Sequence, residues 1–268
     1  MTTVLKSFSN SNQLLEKIKN DNTSGANDLE ELARKAILSF ISTPNSNEIL
    51  LNFLKRLQSA KPEMAPIINT VDTIIQIVKT SKDTKIRNEK IKKMIITSDI
   101  DWNILIKNVT KVMKGKNVVL TYSHSSTVIE VLTHLKRTGF TVFVPESRPV
   151  NEGKNTAIML KKAGLKIKFI TDAGISKFIK DTDIVLVGAD SFSTKYVINK
   201  IGTLAISLLA REYKIPCYVI CGKNKFSNIS LNETAKNPKE IWDIKGIEVK
   251  NFYFEKIPVK YFTGIITD

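Results

Sequence analysis

The sequence predicts a mixed α/β chain: an N-terminal helical domain followed by a doubly wound parallel sheet domain. Three observations carry this. Up to residue 113 the apolar residues recur at helical spacing. At Lys114-Gly115-Lys116 the pattern changes to short bursts rich in β-branched residues, and from there the bursts alternate with helical stretches. Strand, helix, strand repeated in this way is the pattern of a parallel sheet covered on both faces.

Four to six helices are expected in the first half. Residues 26–41 place Leu29, Leu32, Ala33, Ala36, Ile37 and Phe40 on one face, and the TPNSNE run stops them. A second helix at about 46–58 uses Ile49, Leu50, Phe53, Leu54 and Leu57, and Lys61-Pro62 breaks it. Helices over 64–78, 82–96 and 102–113 complete this half, giving domain boundaries of 1–113 and 114–268. In the second half the bursts fall at 118–121, 140–144, 166–170, 183–187 and 216–220, and the helical stretches at 126–137, 154–163, 174–179 and 201–213. A last burst near 247–254 (IEVKNFYF) is expected to add an edge strand.

Composition excludes several classes. With 268 residues, 42% of them hydrophobic and 25% charged, disorder and coiled coil are out. The longest apolar stretches, such as 203–210, fall far short of the ~20 residues that span a bilayer, and the N-terminus has no signal-peptide core, so a cytoplasmic protein without a membrane partner is expected. Cys217 and Cys221, four positions apart in one burst, are too far apart for a relaxed disulfide and read as reduced core residues. Two histidines, His124 and His134, do not make a zinc site, so neither a metal nor a cofactor is expected. The net charge of +15 divides as +5 over 1–113 and +10 over 114–268, with no dense basic arm. Such a surface attracts anions generally and leaves direct RNA binding open without pointing to it.

In a parallel sheet, ligands sit beyond the carboxyl ends of the strands, near the point where strand order reverses. That rule selects Tyr122-Ser123-His124-Ser125-Ser126 after the first burst, Glu146-Ser147-Arg148 after the second, Asp172 after the third and Gly188-Ala189-Asp190 after the fourth. The 121–126 run offers hydroxyls and backbone N–H groups at a helix start, which makes either an anion seat or a plain N-cap by Ser125 or Ser126. Glu146 and Arg148 provide a carboxylate and a guanidinium able to grip phosphate, or an ordinary surface ion pair. Asp190 has the shielded position that suits proton transfer, or caps the next turn. Asn199-Lys200 supply an amide and a cation at the entrance of the 201–213 helix. The G-x-G-x-x-G and G-x-x-x-x-G-K-[ST] fingerprints are absent, which argues against the usual dinucleotide fold and the P-loop.

Taken in order, SGA at 24–26, KPEMAPIIN at 61–69, TYSHSS at 121–126, ESRP at 146–149, GAD and INKIGT between Gly188 and Thr203, and PVKYFTGIITD at 258–268 resemble one superfamily. It unites the regulatory alpha, beta and delta subunits of the exchange factor for translation initiation factor 2 with ribose-1,5-bisphosphate isomerase and methylthioribose-1-phosphate isomerase. The resemblance implies a Rossmann-like C-terminal domain, a homodimer formed through it, and translation initiation factor 2, its alpha subunit first, as partner. In the isomerases a cysteine and an aspartate handle protons during aldose-to-ketose conversion. Asp190 matches the aspartate, and Ser123 stands in the cysteine's place. A hydroxyl is a far weaker acid than a thiol, and losing one acid–base group costs on the order of 10²–10⁴ in rate.

The same resemblance assigns ligand-binding positions. Glu146, Arg148, Lys154, Asn199, Lys200 and the Lys225-Phe226 pair match the family pattern, and Ser125 and Ser126 of the 121–126 run are expected to bind the ligand with them. Ser24, just before Gly25, replaces an arginine of the bisphosphate isomerases, and Lys61 replaces another, which weakens the grip on phosphate. The resulting expectation is a non-catalytic regulatory protein that retains a site for a sugar phosphate or nucleotide between its domains. The alternative is an aldose–ketose isomerase acting on a sugar 1-phosphate.

Overall fold

The computed structural model describes residues 2–97, 100–135, 141–227, 231, 233 and 235–268. Phe140 at the start of the expected second burst, and 136–137 at the end of the expected helix before it, lie outside the described residues. The chain divides into two units, Met1–Asp99 and Ile100–Asp268.

The first unit consists of α1 (Thr2–Asn20), α2 (Ala26–Ile41), α3 (Asn47–Ala60), α4 (Ala65–Thr80) and α5 (Thr84–Thr97). Helix α1 was not assigned from the sequence, because apolar residues are sparse there; Leu15 and Ile18 nonetheless bury one face of it together with Ser11. Leu29, Ala33, Ala36, Ile37 and Phe40 are buried as the helical period requires, and Phe40 stacks on Phe53 of α3 at 4.2 Å. Ile49 departs from its expected place in the core: it lies in the first turn of α3, 51% exposed, while Leu50, Phe53, Leu54 and Leu57 form the buried stripe. The Ser46 hydroxyl accepts from Ile49 N and starts that helix.

The second unit is built on a six-stranded parallel sheet with order β3-β2-β1-β4-β7-β9. Its strands are β1 (Val118–Leu120), β2 (Thr141–Pro145), β3 (Lys166–Ile170), β4 (Ile184–Val187), β7 (Cys217–Ile220) and β9 (Gly264–Ile266). This is the doubly wound α/β order, with the reversal between β1 and β4. Side chains alternate across the sheet with period two. Val119, Ile184 and Leu186 join α6 (Trp102–Met113), α7 (Ser126–His134) and α8 (Gly153–Lys162) in one core. Leu120, Val185 and Val187 join α9 (Ile175–Phe178) and α10 (Thr203–Glu212) in the other. Helix α6, grouped by its periodicity with the helical half, belongs to the sheet unit, since Leu105, Val109 and Met113 pack into the first of these cores.

Asn199 and Lys200 stand just ahead of α10, whose first residue Thr203 bonds to both. They also end β6 (Tyr196–Lys200), which pairs antiparallel with β5 (Ser191–Phe192) and β8 (Phe254–Pro258) in a separate three-stranded sheet. One expectation is corrected. The burst 247–254 is not an edge strand of the parallel sheet. Its ladder starts only at Phe254, against Lys200, and the edge of the large sheet is β9, which pairs with β7. Among the described residues no helix is long and apolar enough to cross a membrane.

Candidate functional site

The loops leaving β1 and β4 meet where the strand order reverses. Gly188 makes this approach possible, since a Cβ there would stand 2.5 Å from the Ser125 hydroxyl oxygen. Ser125 itself is the N-cap of α7, with Oγ accepting from Val128 N at 3.3 Å. Ser126 is the first residue of that helix.

Ser123, two residues earlier, adopts φ +65°, a left-handed conformation that a β-carbon makes costly. The turn is held on both sides. Its N–H donates to Ser147 Oγ at 2.9 Å, and its hydroxyl donates to Glu152 Oε1 at 2.8 Å. Ser147 is itself left-handed at φ +63° and buried. Its N–H donates to Asp172 Oδ1 at 2.8 Å, while Arg148 N donates to Oδ2 at 2.7 Å, so Asp172 clamps the turn after β2 from the turn after β3. Thr156 donates its hydroxyl to Ser123 O at 2.8 Å and meets His124 Nδ1 at 3.1 Å. With the single hydroxyl hydrogen used, His124 Nδ1 is the donor in that contact.

Glu152 lies at the centre of the cluster, immediately before α8, and sequence reasoning did not find it. Gly153 after it lets the helix start press onto the backbone of Pro145, where any Cβ would collide with the carbonyl oxygen. Glu152 itself is buried. Its Oε1 pairs with Lys200 Nζ at 2.7 Å, with both side chains 5% exposed. Lys200 Nζ also sits 4.9 Å from the centroid of the Tyr253 ring. Glu152 Oε2 is buried and has no hydrogen-bond partner among the described residues. A buried acceptor without a donor costs about 1–3 kcal/mol, more when charged. The only signal in the sequence is the position: a carboxylate in the loop that follows the second strand, six residues beyond the first residue after β2.

The other selected residues take varied places. Asp190 ends the β4 loop, half-buried, with its N–H donating to Ile198 O. Lys225 is buried and donates from Nζ to Ala189 O at 2.6 Å beside it. Asn199 donates to the Thr203 hydroxyl at 3.0 Å. Arg148 is exposed and, instead of pairing with half-buried Glu146, donates to Glu240 O at 3.1 Å. Lys154 is exposed on α8. Phe226 is exposed and contacts the Phe192 ring edge-on. Tyr122 donates its hydroxyl to Ile201 O at 2.9 Å and packs on Gly202. Burial, reinforced by the charges of Asp172, Glu152 and Glu255, raises its phenol far above the usual range, so it stays a donor. Cys217 and Cys221 are free and buried, each thiol pushed up to about 12 by burial, so neither offers a thiolate.

Within the helical unit, Ser24 donates from Oγ to Asp21 Oδ2 at 2.7 Å and from N to Oδ1 at 2.9 Å. Gly25 is the N-cap of α2. Lys61, which is buried, donates to Asn22 Oδ1 at 3.2 Å.

The model of the initiation factor 2 subunit family matches residues 7–268. The chain belongs to that family. Its relatives carry two kinds of name. A putative translation initiation factor eIF-2B subunit 2-like protein of Pyrococcus furiosus is 28% identical over 96% of this chain and 94% of its own length. The ribose 1,5-bisphosphate isomerase of Methanocaldococcus jannaschii is 30% identical over 94% of this chain and 88% of its own length. Among solved structures, the Pyrococcus horikoshii translation initiation factor eIF-2B superposes with a TM-score of 0.83 at 25% identity, covering 96% of this chain and 94% of that one. The 5-methylthioribose 1-phosphate isomerase of the same organism has a TM-score of 0.67 at 24% identity, over 97% and 83%, which speaks to the fold alone. The family thus joins initiation-factor subunits and sugar-phosphate isomerases in one architecture, and this chain shares it across nearly its whole length.

Proposed function

We propose that this chain is a non-catalytic regulatory member of the family, cytoplasmic and homodimeric through its sheet unit. It acts by contact with translation initiation factor 2, the alpha subunit being the first candidate, and keeps a site for a small sugar phosphate or nucleotide. One observation carries the reading. At the position where the resemblance places the isomerases' cysteine stands Ser123, and its hydroxyl hydrogen is committed to Glu152. A hydroxyl so engaged is a poor proton donor to a substrate.

The test is an assay of the purified chain with ribose 1,5-bisphosphate and methylthioribose 1-phosphate, beside a pull-down with the alpha subunit of initiation factor 2. No turnover together with capture of the subunit is expected. Turnover at an enzyme-like rate overturns the reading and favours the second one, a sugar 1-phosphate aldose–ketose isomerase. That second reading draws support from Asp190 beside the buried Lys225 contact and from the 30% identity to a ribose 1,5-bisphosphate isomerase. Ser123→Cys separates the two further: restored turnover indicates that only the thiol is missing.

A further inference from the structure

We propose that the outer face of the three-stranded sheet, where β6 begins and β8 ends, is a binding surface for single-stranded RNA. Tyr196 opens β6 opposite Pro258, and Lys256 stands on the same side of β8 opposite Ile198. The two are diagonal neighbours, with the Lys256 ammonium 4.2 Å from the centroid of the Tyr196 ring. Val197 and Ile257, on the other side of these strands, are fully buried in the core that α10 joins. Tyr196 is 38% exposed, and Lys256 is exposed beside it.

The surface continues onto the next element. Val259 N donates to Lys195 O at 2.9 Å, which sets the turn before β6 against the single helical turn Val259–Tyr261. There Lys260 Nζ and the guanidinium of Arg211, from the end of α10, lie 5.3 and 6.0 Å from the centroid of the Tyr261 ring. Ser193 fixes the turn before β6: its hydroxyl oxygen accepts from Lys195 N at 3.2 Å and from Tyr196 N at 3.1 Å. Lys195, Arg211, Lys256 and Lys260 are all exposed, and none of them pairs with a carboxylate among the described residues. The one acid within 191–200 and 254–261 is Glu255, which belongs to the buried side with Ile257 and accepts from Leu204 N at 2.8 Å. Glu212, next to Arg211 on α10, is about 100° round the helix from it.

Unpaired cations beside an exposed ring suit a single strand. Phosphates meet the ammonium and guanidinium groups, and a base of any identity stacks on the ring. An acidic peptide uses the cations alone. The free edge of β8, where an extended peptide would add a strand, carries Lys256 and Pro258, which obstruct such pairing. The charge of +10 over 114–268 draws a polyanion in from a distance.

The experiment is fluorescence anisotropy of the full chain with a labelled short oligouridine and with a labelled oligoglutamate of matched charge, over a series of KCl concentrations. The RNA is expected to bind about tenfold more tightly than the peptide, the factor of one stacked base. Its log K is expected to fall with log[KCl] at a slope of about −3, from four cations at about −0.7 each. Tyr196→Ala is expected to weaken RNA binding about tenfold and to leave the peptide unchanged, whereas Tyr196→Phe keeps the ring and the affinity. Lys256→Gln combined with Lys260→Gln is expected to flatten the slope by about 1.4. All three positions are exposed, so the variants are expected to fold. RNA binding no tighter than that of the peptide makes this a docking face for an acidic protein and overturns the proposal. An RNA affinity unchanged by Tyr196→Ala, or a slope unchanged in the double variant, places the RNA elsewhere and also overturns it, as does the absence of RNA binding at the lowest salt.

Discussion

In the helical unit, Ser24 bonds to Asp21, three residues away in the turn between α1 and α2, and Lys61 reaches Asn22 in the same turn. In the sheet unit, Ser123, Glu152 and Lys200 come from the loop after β1, the entrance to α8 and the end of a different sheet. Ser24 closes that turn from within it, and Lys61 ties it to the end of α3, 39 positions on. A parallel sheet collects the ends of distant segments at one edge, so its polar residues are completed only by the whole fold. The difference teaches how far a substitution reaches: one turn and the segment tied to it in the first unit, several elements in the second.

Lys200→Met tests this contrast most severely. Removing one member of a buried pair leaves the Glu152 charge uncompensated, and a stability loss of about 3–5 kcal/mol is expected in urea denaturation. A loss below about 1 kcal/mol, the value for exposed pairs, would mean the pair is hydrated in solution. Leu54→Ala supplies the counterpart in the helical unit. Leu54 is fully buried, and the truncation is expected to cost about 2–5 kcal/mol. The two residues belong to different units, so their losses should add within about 0.5 kcal/mol; a larger coupling would break the separation. Ser125→Ala removes the α7 cap, with an expected loss of about 1 kcal/mol read by the same method.

The smallest effect is in the pH response, where the units differ in sign. Burial raises the Asp21 carboxyl, but the hydrogen bonds from Ser24 and Thr23 outweigh it and leave the group below its ordinary 3.8. Its contribution is present above that value and is lost as pH falls through the lowered one. Glu255 goes the other way: burial holds it above its ordinary 4.5 despite hydrogen bonds from Leu204, Gly202 and Thr203. Its share of stability is full below 4.5 and is lost as pH rises through the raised value. Wild type should therefore lose its advantage over Asp21→Asn in acid, and lose ground to Glu255→Gln on going to neutral pH. Parallel pH curves for wild type and both variants would remove this distinction.

The parts of the fold legible in the sequence were those with strong periodicity. The bounds of α2, α6 and β3 coincide with the runs 26–41, 102–113 and 166–170. What escaped were elements whose apolar signal is thin or mixed. Helix α1 buries a serine beside Leu15 and Ile18; β6 ends in a buried amide and a buried ammonium; and β9 is three residues long. The misplaced edge strand had alternation without a partner, and Ile247 is 53% exposed. The rule for the carboxyl ends of parallel strands found Ser123, Ser147, Asp172 and Asp190 in the sequence. Glu152 was out of its reach, because what marks it out is its burial and its pairing with Lys200, 48 positions later. Neither is a property of local sequence.

The place of β9 bears on the timing of folding. On the ribosome, segments fold as they emerge, and units rich in near-neighbour contacts fold fastest. All five helices of the first unit are complete by Thr97, whereas the parallel sheet cannot gain its outer strand until Ile266 has been made. Until then the edge of β7 stays open in a nascent chain, and chaperones have their longest opportunity to act there.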